Sequence, residues 1–157
     1  MVRHSARNPY ITLALTALIA VLVDQYLKWQ FCHTQSSYDI SIAASLFSLD
    51  CTTNTGAAFS ILRSYGSALM WLGIFAVGMA LYYYDRLPKA KLTPVFAGLL
   101  IGGIIGNIID RAVYGYVIDF IRISIWPTFN IADACLTVGI IGIIFLVYRD
   151  DVAMKKS

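Results

Sequence analysis

Four stretches of this 157-residue chain, at about residues 11–27, 67–84, 94–110 and 134–149, are apolar over close to the roughly 20 residues that a bilayer demands of a helix. Nothing else in the sequence constrains the fold as strongly. Hydrophobic residues make up 59% of the chain, more than a soluble domain of this size can hide from water. The reading that follows is a mainly α membrane protein, a bundle of four transmembrane helices in a single domain over residues 1–157. Arg3, His4 and Arg7 before the first stretch resemble the start of a secretory signal, but its core is long and three more stretches follow, so it is read as a retained span.

Orientation follows from the basic residues. Arg3, Arg7, Arg86, Lys89, Lys91, Arg149, Lys155 and Lys156 fall on one side of such a bundle, and only Lys28, Arg63, Arg111 and Arg122 on the other. Basic residues stay in the cytoplasm, so both termini are expected there, with residues 29–66 and 111–133 facing outward. The net charge of +3 comes without any basic run, which excludes a nucleic-acid binder. In the first outward segment, "YDISIAA" and "LFSLDCTT" read as strand pieces, and "GAAFSIL" as a short interfacial helix. A small extracytoplasmic β-sheet with that helix beside it is therefore expected.

Within the third span, Gly102 and Gly106 stand four apart, the spacing that lets neighbouring helices approach closely. Asn107 and Asp110 share a face with Gly103, and that face is expected to look into the bundle. The three cysteines, Cys32, Cys51 and Cys135, show no metal-ligand spacing; Cys32 and Cys51 either pair in an oxidising compartment or remain two free thiols. With two histidines in all and no His-Glu-x-x-His, no metal or other cofactor is expected.

All nine acidic residues are aspartates, so any carboxylate chemistry belongs to them. Asp39, Asp50, Asp85, Asp150 and Asp151 are assigned to loops and tails. Asp24, Asp110, Asp119 and Asp133 fall at the outward ends of spans, where a charge costs roughly 2.5–3.5 kcal/mol unless it pairs or meets water. Each has an ordinary structural role open to it. Asp24 precedes Lys28 by one helical turn, Asp110 adjoins Arg111, Asp119 has Arg122 nearby, and Asp133 stands three after Asn130 in a relative of the capping box. Four such residues at one level nevertheless indicate a site. A segment with Trp126 and Pro127 joins Asp119 to Asp133 and can fold back, bringing the two together. Two close carboxyl groups cannot both ionise easily, so they share a proton; one serves as base on a water while the other polarises a carbonyl. Such a pair is the arrangement of an aspartic peptidase.

The blocks "DQYLK" (24–28), "NTGAAFS" (54–60), "GNIIDR" (106–111), "VIDF" (117–120) and "FNIAD" (129–133), in this order on four spans, resemble the bacterial lipoprotein signal peptidase (signal peptidase II) family. The resemblance covers most of the chain. It implies a multi-pass protease of the bacterial cytoplasmic (inner) membrane that removes signal peptides from diacylglyceryl-modified prolipoproteins, cutting just before the lipidated cysteine. It implies Asp119 and Asp133 as catalytic residues, and Asn54, Gly56, Asn107, Arg111, Asn130, Asp24 and Lys28 as residues that bind substrate or organise the site. Asp110 is assigned to structural support. Membrane lipids and globomycin-like cyclic peptide inhibitors are the further partners implied. Because a helix N-terminus at Asp133 favours its ionised form, Asp119 is the expected proton carrier. The segment between the two aspartates is a few residues shorter than in many members.

Other readings give different expectations. A small transporter or proton-relay subunit needs charges near mid-membrane, and the central parts of these spans have none. A serine or cysteine peptidase would draw on Ser60, Ser124 or Cys32, with only His4 and His33 as histidines and Lys28 as the remaining base.

Overall fold

A computed structural model describes residues 8–32, 47–55 and 66–155. Four long helices form the frame: α1 (Pro9–Cys32), α2 (Gly66–Tyr83), α3 (Thr93–Tyr114) and α4 (Ile131–Met154). All four are long and apolar enough to cross a membrane. Two strands, β1 (Phe47–Asn54) and β2 (Val117–Ile123), and a single 3-10 turn at Tyr84–Arg86 complete the described elements.

α1, α3 and α4 run past the bounds read from hydropathy, and α2 matches its bounds to within one residue. The continuation of α1 through Asp24 and Lys28 to Cys32 is possible because both charges find partners inside the bundle. Asp150 and Asp151, expected in a tail, lie in the last turns of α4. Pro94 sits in the first turn of α3, where its missing N–H costs nothing, and Gly115, at φ 80°, ends that helix by donating its N–H to Arg111 O.

α3 is the central helix, packed against α1, α2 and α4, and it carries the longest run of buried positions. Its glycines make this possible, as the Gly102 and Gly106 spacing foretold. A methyl group on Gly102 would stand 2.7 Å from Ala17 O of α1, so the two backbones are in direct contact there. Large apolar side chains such as Leu15, Leu22, Trp71, Phe75, Ile144 and Phe145 point outward from the bundle, the pattern of a helix surface that faces lipid.

β1 and β2 pair antiparallel at the end of the bundle where α1 and α3 finish and α4 begins. The "LFSLDCTT" strand was expected; its partner was not, since residues 117–123 were read only as part of an outward loop. The partner is the strand that contains Asp119. Asp50, assigned to a loop, lies in β1 and pairs at 3.5 Å with Arg122, which therefore does not neutralise Asp119. After β2 the chain turns through Ser124–Thr128 and runs back, with Phe129 exchanging backbone hydrogen bonds with Ile121 before α4 starts. This is the fold-back that the Trp126–Pro127 segment suggested. Cys32 and Cys51 are joined in a disulfide that fastens β1 to the end of α1, and Cys135 is free. The strand piece "YDISIAA" and the interfacial helix "GAAFSIL" lie outside the described residues, as does Gly56.

Candidate active site

The site is built where β2 meets the first turn of α4. Asp119 is fixed by its strand: its backbone faces Thr52 of β1, and the bulge between Leu49 and Thr52 sets that register. Asn54 pairs with Val117, two residues from Asp119 and on the same face of the ribbon, so its side chain reaches across. Asn54 Nδ2 donates to Asp119 Oδ2 at 3.0 Å. Phe120, fully buried against Phe31 of α1 with ring centroids 5.5 Å apart, anchors the strand on the other face.

Asp133 is fixed by helix capping. Asn130, in extended backbone, is the N-cap of α4: its Oδ1 accepts the Asp133 N–H at 2.8 Å while the Asp133 carboxylate accepts the Asn130 N–H at 3.4 Å. That reciprocal pair is the capping box read from the sequence. It also places the Asp133 carboxylate at the positive end of a helix dipole.

Two asparagines connect the two acids. The Asn130 amide donates to Asp119 Oδ1 at 2.8 Å and to Asn107 Oδ1 at 3.1 Å; Asn107 Nδ2 in turn donates to Asp133 Oδ1 at 2.7 Å. Asp119 and Asn130 are almost completely buried. Burial is the main force on the Asp119 carboxyl, raising it from the ordinary carboxylate range to about 6, and the neighbouring charge of Asp133 adds to the rise. The hydrogen bond from Asn54, with smaller effects from Lys28 and Asn130, works in the other direction. Arg111, whose guanidinium donates to Asn107 O at 3.3 Å, brings a positive charge to bear on Asp133, Asp110 and Asp119. Asn107 and Arg111 also line one part of an apolar groove of about 440 Å³ between α2, α3 and α4, whose walls include Leu72, Ile104 and Leu136.

Behind the pair lies a buried ion cluster. Lys28 Nζ stands 2.7 Å from Asp24 Oδ2 and 2.8 Å from Asp110 Oδ2, with all three side chains excluded from solvent. The one-turn pairing of Asp24 with Lys28 was legible in the sequence. The partner of Asp110 is Lys28, however, and not the adjacent Arg111, because successive helix residues face different sides and only Asp110 points at α1.

Asp119, Asp133, Asn54, Asn107, Arg111 and Asn130 thus come together, and Asp24, Lys28 and Asp110 form a second group beneath them. The residue that sequence reasoning missed is Gln25, whose amide donates to Asp110 Oδ1 at 2.9 Å and to Asp24 Oδ2 at 3.2 Å. Its place inside "DQYLK" was the one available signal. The nucleophiles of the rival readings fare poorly. Cys32 is tied up in the disulfide, and Ser124 sits exposed at a turn with φ 43°; Ser60 and both histidines lie outside the described residues.

Two carboxyl groups linked through a pair of asparagines at one end of four helices long and apolar enough to cross a membrane are the features of a multi-pass membrane protein. Residues 16–149 match the family model for signal peptidase (SPase) II. The lipoprotein signal peptidase of Symbiobacterium thermophilum is 41% identical over 137 residues, covering 83% of this chain and 89% of that protein. That of Halalkalibacterium halodurans is 38% identical over 157 residues, covering 91% and 96%. A bacterial membrane enzyme structure determined by the in meso method at 2.3 Å superposes with a TM-score of 0.78 at 30% identity, covering 89% of each chain. A second, at 1.9 Å, gives 0.76 at 31% identity, covering 88% of this chain and 94% of the other. The chain belongs to the signal peptidase II family, and is a peptidase of the membrane.

Proposed function

We propose that this chain removes signal peptides from diacylglyceryl-modified prolipoproteins, cutting before the lipidated cysteine, and that it does so as an aspartic endopeptidase with Asp119 and Asp133 as its catalytic residues. Removal of prolipoprotein signal peptides is the activity that family membership supports, and no described charge lies near the middle of a span as a transporter or proton relay would require. The observation that carries the aspartic mechanism is the Asp119–Asn130–Asn107–Asp133 chain of hydrogen bonds, with one carboxyl buried and the other at a helix N-terminus.

Asp133, ionised, takes a proton from a water as the water oxygen attacks the scissile carbonyl carbon. Asp119, protonated, gives its proton to the carbonyl oxygen. As the tetrahedral intermediate collapses, the proton held by Asp133 passes to the departing amide nitrogen and Asp119 recovers its own. Asn54 and Asn130 orient the Asp119 carboxyl, and Asn107 orients that of Asp133. Arg111 limits the negative charge that builds up. The apolar groove running from Asn107 and Arg111 along α2, α3 and α4 suits the signal peptide or its lipid.

The whole chain acts as one unit in the bacterial cytoplasmic membrane, with both termini cytoplasmic and the site facing outward. The basic residues support this orientation, and so does the Cys32–Cys51 disulfide, which belongs on the oxidising side. Globomycin-like cyclic peptides would inhibit by occupying the space between the two carboxyl groups.

The test is cleavage by purified protein of one precursor in two forms, with and without diacylglyceryl on the cysteine, read by mass spectrometry of the new N-terminus. Cleavage of the lipidated form before that cysteine supports the proposal. Equal cleavage of both forms, or a cut elsewhere, contradicts it.

A further inference from the structure

Asp24, Lys28 and Asp110 carry three formal charges in a site without solvent, and the catalytic mechanism above does not use them. Such clusters are poor sources of stability, since replacement of buried ion groups by packed apolar side chains is often neutral or better. What distinguishes this cluster is the use made of its remaining hydrogen-bonding capacity. Asp24 Oδ1 accepts the peptide N–H of Ala132 at 2.8 Å, and Ala132 immediately precedes Asp133. Asp110 Oδ2 accepts the peptide N–H of Ile118 at 3.0 Å, and Ile118 immediately precedes Asp119. The same grip is thus applied one residue ahead of each member of the reactive pair.

The Ala132 N–H has no local partner to rely on. Ala132 is the second residue of α4, so its N–H belongs to the unsatisfied first turn, and the Asn130 cap is already committed to Asp133. Its acceptor comes instead from α1, 108 residues away in sequence. Lys28 draws the two carboxylates together, and Gln25 bridges them a second time. Hydrogen bonds to ionised acceptors are shorter and about twice as strong as neutral ones. Two peptide units on different elements, β2 and α4, are therefore held to one common block.

Building on the assignment of Asp119 and Asp133 as the catalytic pair, we propose that Asp24, Lys28 and Asp110 are positioning residues that set the separation and orientation of the two catalytic carboxyl groups by holding the peptide N–H ahead of each. Lys28 has a second effect. It is one of three charged groups acting on Asp119: Lys28 from α1, Arg111 from α3 and Asp133 from α4, with Asn54 of β1 and Asn130 contributing neutral donors. Its positive charge favours the Asp119 carboxylate, so removing it moves the titration of Asp119 to higher pH.

The experiment is steady-state cleavage of a diacylglyceryl-modified precursor by the full chain in detergent, for Asp110→Leu, Asp110→Asn and Lys28→Met, with Asp119→Asn and Asp133→Asn in parallel. Asparagine keeps an oxygen for the Ile118 N–H; leucine does not. Because misplacement of reacting groups by about 1 Å costs about 100-fold, Asp110→Leu is expected to lower kcat by about that factor with KM nearly unchanged. Asp110→Asn should recover at least about tenfold of the loss. Lys28→Met should move the pH midpoint of kcat/KM upward. A folded Asp110→Leu variant with wild-type kcat, a loss confined to KM, or an Asp110→Asn variant as poor as leucine overturns the proposal. Where leucine prevents folding, the kcat of folded Lys28→Met decides: a loss in kcat with KM nearly unchanged supports the proposal, and a wild-type kcat overturns it. If Asp119→Asn or Asp133→Asn remains active, it is the assignment of the pair that fails; if both are dead while Asp110→Leu and Lys28→Met behave as wild type, only the positioning role fails.

Discussion

Replacing Gly103 by alanine tests whether the close approach of α3 and α4 holds the site in register. A methyl group there would press into the carbonyl of Ala132 and stand 2.8 Å from Leu136 N, both backbone atoms of the first turns of α4. Ordinary contact begins at 3.4 Å, so the start of α4 must withdraw by at least about 0.6 Å. Backbone cannot step aside as a flexible side chain can, and overpacking of this kind costs about 1–3 kcal/mol. The displaced turn carries Ala132 and Asp133, so the shift is delivered to the reacting groups. A displacement approaching 1 Å lowers turnover by about 10- to 100-fold. Gly78 of α2 is the internal control, since a methyl group there meets nothing within 4 Å. The assay pairs thermal unfolding in detergent with the kcat for precursor cleavage. Gly103→Ala should lose on both measures and Gly78→Ala on neither. Wild-type kcat in Gly103→Ala would refute the reasoning that links this helix contact to the site.

Because burial holds Asp119 protonated up to about 6, and the mechanism needs that proton, kcat/KM of the free enzyme should fall as pH rises through about 6. Asn54→Leu removes a bond that favours the carboxylate, so a pH profile should show its midpoint moved upward. Asn130→Ala should cost about 1 kcal/mol of cap energy together with most activity. Asn130→Ser should restore that cap energy, since serine caps equally well, but neither the activity nor the stability lent by the amide's bonds to Asn107, Ile118 and Asp119; thermal melts and turnover separate the contributions. Cys51→Ser should lower stability by about 3 kcal/mol, from the chain closure between Cys32 and Cys51, and added reductant should lower the wild-type melt to match.

What the sequence revealed depended on the range of the interaction. The four spans were legible because bilayer thickness imposes a length on apolar runs, and the capping box at Asn130 and Asp133 because three residues of separation on a helix fix the geometry. Asp24 with Lys28 was legible for the same reason. Asp110 was assigned to its neighbour Arg111, since nothing local reveals that Gly102 and Gly106 bring α1 close enough for Lys28 to reach it. Strand β2 went unread although "VIDFIRI" is rich in β-branched residues; a strand needs its partner, and β1 lies more than sixty residues earlier. The Cys32–Cys51 bond stayed open because spacing in sequence does not set the distance between two Cα atoms.

The most direct test of the central claim is cleavage of a diacylglyceryl-modified precursor by folded Asp119→Asn and Asp133→Asn, measured beside wild type under single-turnover conditions. If the two carboxyl groups carry the reaction, wild type cuts before the lipidated cysteine and each variant falls by several orders of magnitude. A near-wild-type rate in either one would contradict the account.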